Sequence, residues 1–192
     1  MIPKEFVKYK PKYFSHGKRS IIYIFKKGAK NYVIKTKKQG IGAKDPISNE
    51  AKFLKLLNRY KTGPKYLTSG KNYVVYEFVK GEFFVDWIKT VDKKSVKRII
   101  TDILRQCRTL DKLKINKKEF HKPIKHIIIS KNKPVMIDFE RCYYTENPKN
   151  VTQFCQFLLL INKIKPEAIE ILKKYKENES EGNFKKILKI IE

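Results

Sequence analysis

The chain has 192 residues with a formal net charge of +26, and its 41% hydrophobic and 33% charged residues exclude a disordered coil. That length suits one compact unit or two small lobes sharing a cleft. The longest apolar runs, such as residues 154–161, fall far short of a membrane span, and Met1-Ile2-Pro3-Lys4-Glu5 lacks the apolar stretch of a secretory signal, so no membrane partner is expected.

Cys107, Cys142 and Cys155 are odd in number and lie in no metal-ligand spacing, which predicts buried reduced thiols in a cytoplasmic protein. The charge, from 45 basic against 19 acidic residues, favours polyanions such as phosphates or RNA. The lysine excess, with abundant Ile, Asn, Tyr and Phe, also fits the compositional bias of an AT-rich genome or a thermophile.

In chain order, residues 13–36 alternate like a β-hairpin, with β-rich runs at 20–25 and 31–36 joined by Lys26-Lys27-Gly28-Ala29-Lys30. A helix is predicted over about 48–60, capped by Ser48 or Asn49 and ended by Gly63-Pro64. Strands at 65–69 and 73–78 follow. After Val79-Lys80-Gly81 the pattern turns helical: a short helix at 83–90, then a long amphipathic one at 93–113 with Val96, Ile99, Ile100, Ile103, Leu104, Cys107 and Leu110 on one face. Residues 114–125 read as a loop, Ile127-Ile128-Ile129 and Pro134-Val135-Met136-Ile137 as two short strands, and 151–164, 166–178 and 182–191 as helices. The expected division is a β-rich N-lobe over 1–79 and a reduced helical C-lobe over 80–192.

Five pieces fall in the order that nucleotide phosphoryl transfer needs. Ser15-His16-Gly17-Lys18-Arg19-Ser20-Ile21-Ile22 has the rhythm G-x-G-x-x-G-x-V, with serine in two glycine places, and a turn of small residues lets backbone N–H groups approach phosphates. Lys35, in Tyr32-Val33-Ile34-Lys35, supplies a strand cation. Glu50, read as lying near the start of the next helix, can pair with it. Tyr76-Glu77-Phe78-Val79 offers backbone groups to an adenine edge. Asp138, in Ile137-Asp138-Phe139-Glu140, can hold Mg²⁺. Each piece alone is a turn, a surface lysine, a helix-dipole acid or a strand end.

As a set they resemble the protein-kinase-like superfamily, and look similar to small atypical archaeal kinases near the RIO kinases and the kinase of the KEOPS tRNA-modification complex. Asn116-Lys117-Lys118-Glu119-Phe120-His121-Lys122-Pro123-Ile124-Lys125-His126, followed by Ile137-Asp138-Phe139-Glu140-Arg141-Cys142, resembles a family of predicted archaeal serine/threonine kinases. The resemblance covers roughly 13–165. It implies an α+β, bilobal fold with a β-rich N-lobe and a truncated, mostly helical C-lobe. It implies ATP and Mg²⁺ as cofactors, a protein substrate, and activity in ribosome or tRNA biology. Ser15, Gly17, Ser20, Lys35, Glu50, the Glu77 carbonyl and the Val79 N–H would bind nucleotide, Glu82 or Asp86 would reach the ribose, and Asp138 would bind metal.

The catalytic loop departs from the family. Counting back from Ile127 puts His126 in the usual asparagine place and His121 in the aspartate place, whereas counting forward from Leu110 puts Glu119 there. The two counts differ by two residues. Glu119 or His121 could accept a hydroxyl proton and His126 could ligate metal, or the histidines could simply satisfy the loop. Only about 50 residues follow Glu140, with no Ala-Pro-Glu segment. A non-catalytic ATP- or RNA-binding scaffold and a small-molecule phosphotransferase of the aminoglycoside-kinase type are the alternatives.

Overall fold

The computed structural model describes residues 2–38, 40 and 45–191. They form two compact units, one of residues 1–80 with 135–142, the other of residues 81–134 with 143–192. The segment carrying Asp138 thus packs with the first unit, not with the second as the sequence division had it.

In the first unit a short helix α1 (Lys4–Val7) precedes β1 (Lys12–His16), β2 (Ser20–Lys27) and β3 (Lys30–Lys37). Helix α2 (Pro46–Asn58), β4 (Tyr66–Gly70) and β5 (Tyr73–Glu77) complete it. The strands make one antiparallel sheet in the order β1-β2-β3-β5-β4. The expected hairpin is therefore three strands, with His16 paired with Ile21 and the β1–β2 turn closed by Gly17 N–H to the Ser20 carbonyl at 2.9 Å.

Strand alternation decides what each face of this sheet does. Ile34 pairs with Tyr23 and Val75, and these point to the side where Phe6 of α1 packs on Phe25, Ile34 and Val75. Val33 and Lys35 point to the other side, under α2, where Val74 and the helix residues Phe53, Leu54 and Leu57 are buried. Helix α2 begins earlier than Ser48 because Asp45 caps it: its carboxylate accepts from Ile47 N–H at 3.1 Å and Ser48 N–H at 3.3 Å, with Pro46 in the first turn.

The second unit opens with β6 (Glu82–Phe83), α3 (Phe84–Trp87) and the 20-residue α4 (Lys93–Lys112). The stretch read as a loop holds β7 (Ile115–Lys117) and a 3₁₀ turn over Lys118–His121. The chain leaves the unit along β9 (Lys133–Met136), which follows β8 (Ile127–Ser130), and returns along β10 (Cys142–Tyr144). Helices α5 (Asn150–Leu160), α6 (Ala168–Glu177) and α7 (Glu181–Lys189) finish it. The predicted apolar face of α4 is its buried face, and Phe154 of α5 gathers Phe84 and Phe120 at centroid distances of 5.9 and 6.3 Å. Cys107, Cys142 and Cys155 are buried free thiols. No described helix is long and apolar enough to cross a membrane.

Candidate nucleotide site

Lys35 is 5% exposed because β3 delivers it to the sheet face beneath α2. Glu50 leads the apolar stripe of that helix, in register with Phe53, Leu54 and Leu57, so the stripe that buries the helix also buries the carboxylate, which is 1% exposed. It lies a turn deeper than its predicted place at the helix start, since the helix begins at Pro46. The Lys35 Nζ stands 2.7 Å from Glu50 Oε2, 2.8 Å from Asp138 Oδ1 and 3.4 Å from Glu140 Oε2.

The geometry of the Asp138 segment has local causes. Asp138 adopts φ 65, a left-handed conformation that costs a non-glycine residue about 1–3 kcal/mol and persists where its surroundings hold it. Phe139 is fully buried, and its ring lies where a side chain on Gly63 would stand, 2.9 Å from that Cβ position. On the other side, Asn49 Nδ2 donates to the carbonyls of Glu140 and Cys142, both at 2.9 Å. Arg19, in the β1–β2 turn, reaches Glu140 Oε1 at 3.7 Å.

One ammonium therefore faces three carboxylates. Burial alone would pull the Lys35 ammonium down, but Glu50, Asp138 and Glu140 outweigh it and hold the group well above its ordinary value. Burial pushes Glu50 up; Lys35 offsets part of this, while Asp138 and Glu140 add to it. Tyr76, on the same sheet face, is also pushed up, first by burial and then by Glu50. Three carboxylates that offer only oxygen ligands are chemically suited to a hard divalent cation. Glu50, Asp138 and Glu140 present ligand atoms within 4.8 Å of one another. His126, the other expected metal ligand, belongs to the second unit.

The remaining predicted nucleotide contacts have plainer surroundings. Ser15, Gly17 and Ser20 flank the β1–β2 turn; Ser20 is buried and Gly17 exposed. The Glu77 side chain pairs with Lys30 at 2.5 Å, and the Glu77 N–H donates to the Lys65 carbonyl at 2.8 Å. On an antiparallel strand a residue's C=O leaves on the same edge as its N–H, so the Glu77 carbonyl faces that edge too. Val79 follows β5 outside any regular element. Glu82 begins β6, and Asp86 is held by Lys89 at 2.9 Å.

In the second unit, Glu119 is 8% exposed and sits 3.6 Å from Lys117, a lysine with no exposed surface. His121 is exposed, with Nδ1 3.0 Å from the Lys118 carbonyl, and the His126 N–H donates to the Pro123 carbonyl at 3.2 Å. Residues 122–126 form tight turns, with the Ile124 N–H donating to the Lys122 carbonyl at 2.9 Å.

What positions this loop was not foreseen. Asp111, fully buried, accepts from Asn150 N–H at 3.0 Å, Asn150 Nδ2 at 2.7 Å, Val151 N–H at 3.2 Å and Tyr175 Oη at 3.2 Å. Burial pushes its carboxyl up against these donors. Asn150 in turn donates to the Ile115 carbonyl at 2.6 Å and accepts from Lys117 N–H at 2.8 Å, while Asn116 accepts from Lys149 N–H at 2.8 Å. The start of α5 and the residue before it thereby fix all three residues of β7, which ends two residues before Glu119. No local signal marks these partners, which lie about 35 residues apart. Glu140 and Arg19 were likewise missed as partners of the lysine centre.

No protein-family model matches the chain, and no curated protein matches it. Solved structures do. The PK-1 kinase of Cydia pomonella granulovirus is similar at TM-score 0.57 and 15% sequence identity, over 74% of this chain and 56% of that one. The chain spans little more than half of that kinase, and the likeness establishes a kinase-like fold: a β-rich N-terminal part followed by a helical one.

Proposed function

We propose that this chain is an atypical protein kinase that binds ATP with Mg²⁺ at the Lys35 centre and transfers the γ-phosphoryl group to a serine or threonine hydroxyl. One observation carries the reading: a buried lysine held by a helix glutamate and by an aspartate in a strained backbone conformation, in a kinase-like fold. Lys35 would meet the α- and β-phosphates, with Glu50 fixing its reach. The β1–β2 turn would cover the phosphates, and the Glu77 and Val79 backbone would meet the adenine. Asp138, with Glu140 beside it, has the oxygen donors that Mg²⁺ takes, and when bound the ion supplies charge neutralisation on the phosphates. Glu119 is the better candidate to accept the hydroxyl proton, since α5 fixes the backbone before it and His121 is held to its own turn.

A second reading, a nucleotide-binding scaffold without transfer, is favoured by the Lys117–Glu119 pair, which occupies the carboxylate that would serve as base. Incubation of purified protein with γ-labelled ATP and Mg²⁺, scoring labelled protein and released phosphate together, separates the two. Label that disappears in Lys35→Ala and Asp138→Ala supports transfer. ATP binding without label or released phosphate supports the scaffold.

A further inference from the structure

We infer that the sheet face of the first unit opposite Lys35 is a binding surface for single-stranded RNA. Alternation along β3 puts Ile34 on one face and Lys35 on the other, and Tyr23 pairs with Ile34. Tyr23 in turn pairs with Tyr13 on the edge strand β1. That face therefore carries Tyr13 and Tyr23 side by side, their rings 6.4 Å apart and nearly perpendicular. It lies on the reverse of the sheet from the lysine centre, so the two sites do not compete for space.

The inner part of the face is closed by α1, whose Phe6 packs on Phe25, Ile34 and Val75. The outer part is open. Tyr13 is 60% exposed, so its ring is accessible beside Tyr23. Its hydroxyl and His16 Nδ1 lie 2.6 Å apart. On the same face the Tyr9 ring, packed on Phe25 at 5.2 Å, is overlaid by two ammonium groups, Lys8 at 5.3 Å and Lys27 at 6.0 Å. Both lysines are exposed.

Charge complementarity points to a polyanion. Glu5 is the one acid among the first 44 residues, and its carboxylate is taken by the Tyr73 hydroxyl. Glu77, at the far end of the face beside Tyr32, is paired with Lys30. Exposed lysines near an accessible tyrosine ring on a sheet are what single-stranded nucleic acid requires: ammonium groups for the phosphates and a π-face for a base. The Tyr13–His16 polar pair adds a donor and acceptor at ring level for a ribose 2′-hydroxyl, which favours RNA over DNA.

The inference is independent of phosphoryl transfer, and its test uses the whole chain without ATP. A fluorescein-labelled 12-nucleotide mixed-sequence RNA is titrated by anisotropy across a salt series. Tyr13→Ala is expected to weaken binding about tenfold, the loss of one stacked base. The double variant Lys8→Ala/Lys27→Ala should reduce the slope of log K against log salt by about 1.4, or ~0.7 per lysine. Lys173→Ala/Lys176→Ala on α6 removes the same charge elsewhere and should change affinity less than twofold. Tyr13→Phe should keep most affinity and lose part of the preference for RNA over the matching DNA. Tyr13→Ala within twofold of the parent, or an α6 double variant as weak as Lys8→Ala/Lys27→Ala, overturns the surface. Equal affinity for the DNA overturns RNA as its ligand, and competition by polyglutamate at equal charge concentration overturns nucleic acid altogether.

Discussion

Replacing Lys35 by Met tests the buried charge cluster without invoking any ligand. The substitution keeps the volume of the lysine stem and removes the one ammonium that Glu50, Asp138 and Glu140 share. Glu50 is 1% exposed, so its charge cannot turn to water. Stranding a partner of a buried pair costs about 3–5 kcal/mol, which for a chain of this size lowers the melting temperature by roughly 6–20 °C. Removing both charges in Lys35→Met/Glu50→Leu should recover most of that loss, because an apolar pair of similar volume replaces a buried ion pair at little cost. The pH dependence has a defined sign. Burial already raises Glu50 in the parent, and loss of the lysine raises it further. A carboxyl with a raised folded value adds stability that is full below its ordinary value near 4.5 and lost as pH rises through the raised one. The deficit of Lys35→Met should therefore shrink between pH 7 and pH 5. Thermal and urea unfolding at both pH values measure it. A loss below about 1 kcal/mol, or one that grows on acidification, would refute the reasoning.

Three further outcomes follow from named contacts. Glu140→Gln frees Lys35 and Arg19 from a competing carboxylate, so calorimetry should find ATP in the absence of Mg²⁺ bound about threefold to tenfold tighter, and the gain from adding Mg²⁺ reduced. Asn150→Ala leaves the Ile115 carbonyl, the Lys117 N–H and part of Asp111 without their partner. It should cost about 2–3 kcal/mol in urea unfolding and depress phosphoryl transfer far more than ATP binding. Gly63→Ala forces a side chain onto φ 83 with its Cβ 2.9 Å from Leu54 and Phe139. It should cost at least ~2 kcal/mol and weaken nucleotide binding through the Phe139 contact, read by unfolding and calorimetry together.

How far the sequence reached can be seen in particular residues. Lys35 and Glu50 were legible because each sits in a periodic pattern, one on an alternating strand and one on an apolar helix stripe, and periodicity fixes which way a side chain points. Asp45-Pro46 is a stronger helix start than Ser48 or Asn49, and the start at Pro46 follows from local chemistry that was there to be read. The Glu140 contact with Lys35 was not legible, since it joins positions 105 residues apart through a backbone turn at Asp138. The Asp111–Asn150 network is hidden for the same reason, because a helix end and a helix start that share no local pattern meet only in the fold. Strands β7 and β10 have three residues each, too short for alternation to stand out.

The central claim is that the Lys35 centre binds nucleotide, and calorimetric titration of the whole chain with ATP and Mg²⁺ tests it most directly. Saturable binding by the parent, weakened at least tenfold in both Lys35→Ala and Asp138→Ala while the variants keep a cooperative unfolding transition, is the predicted result. A parent that takes up no ATP, or variants that bind it as tightly as the parent does, would contradict the account.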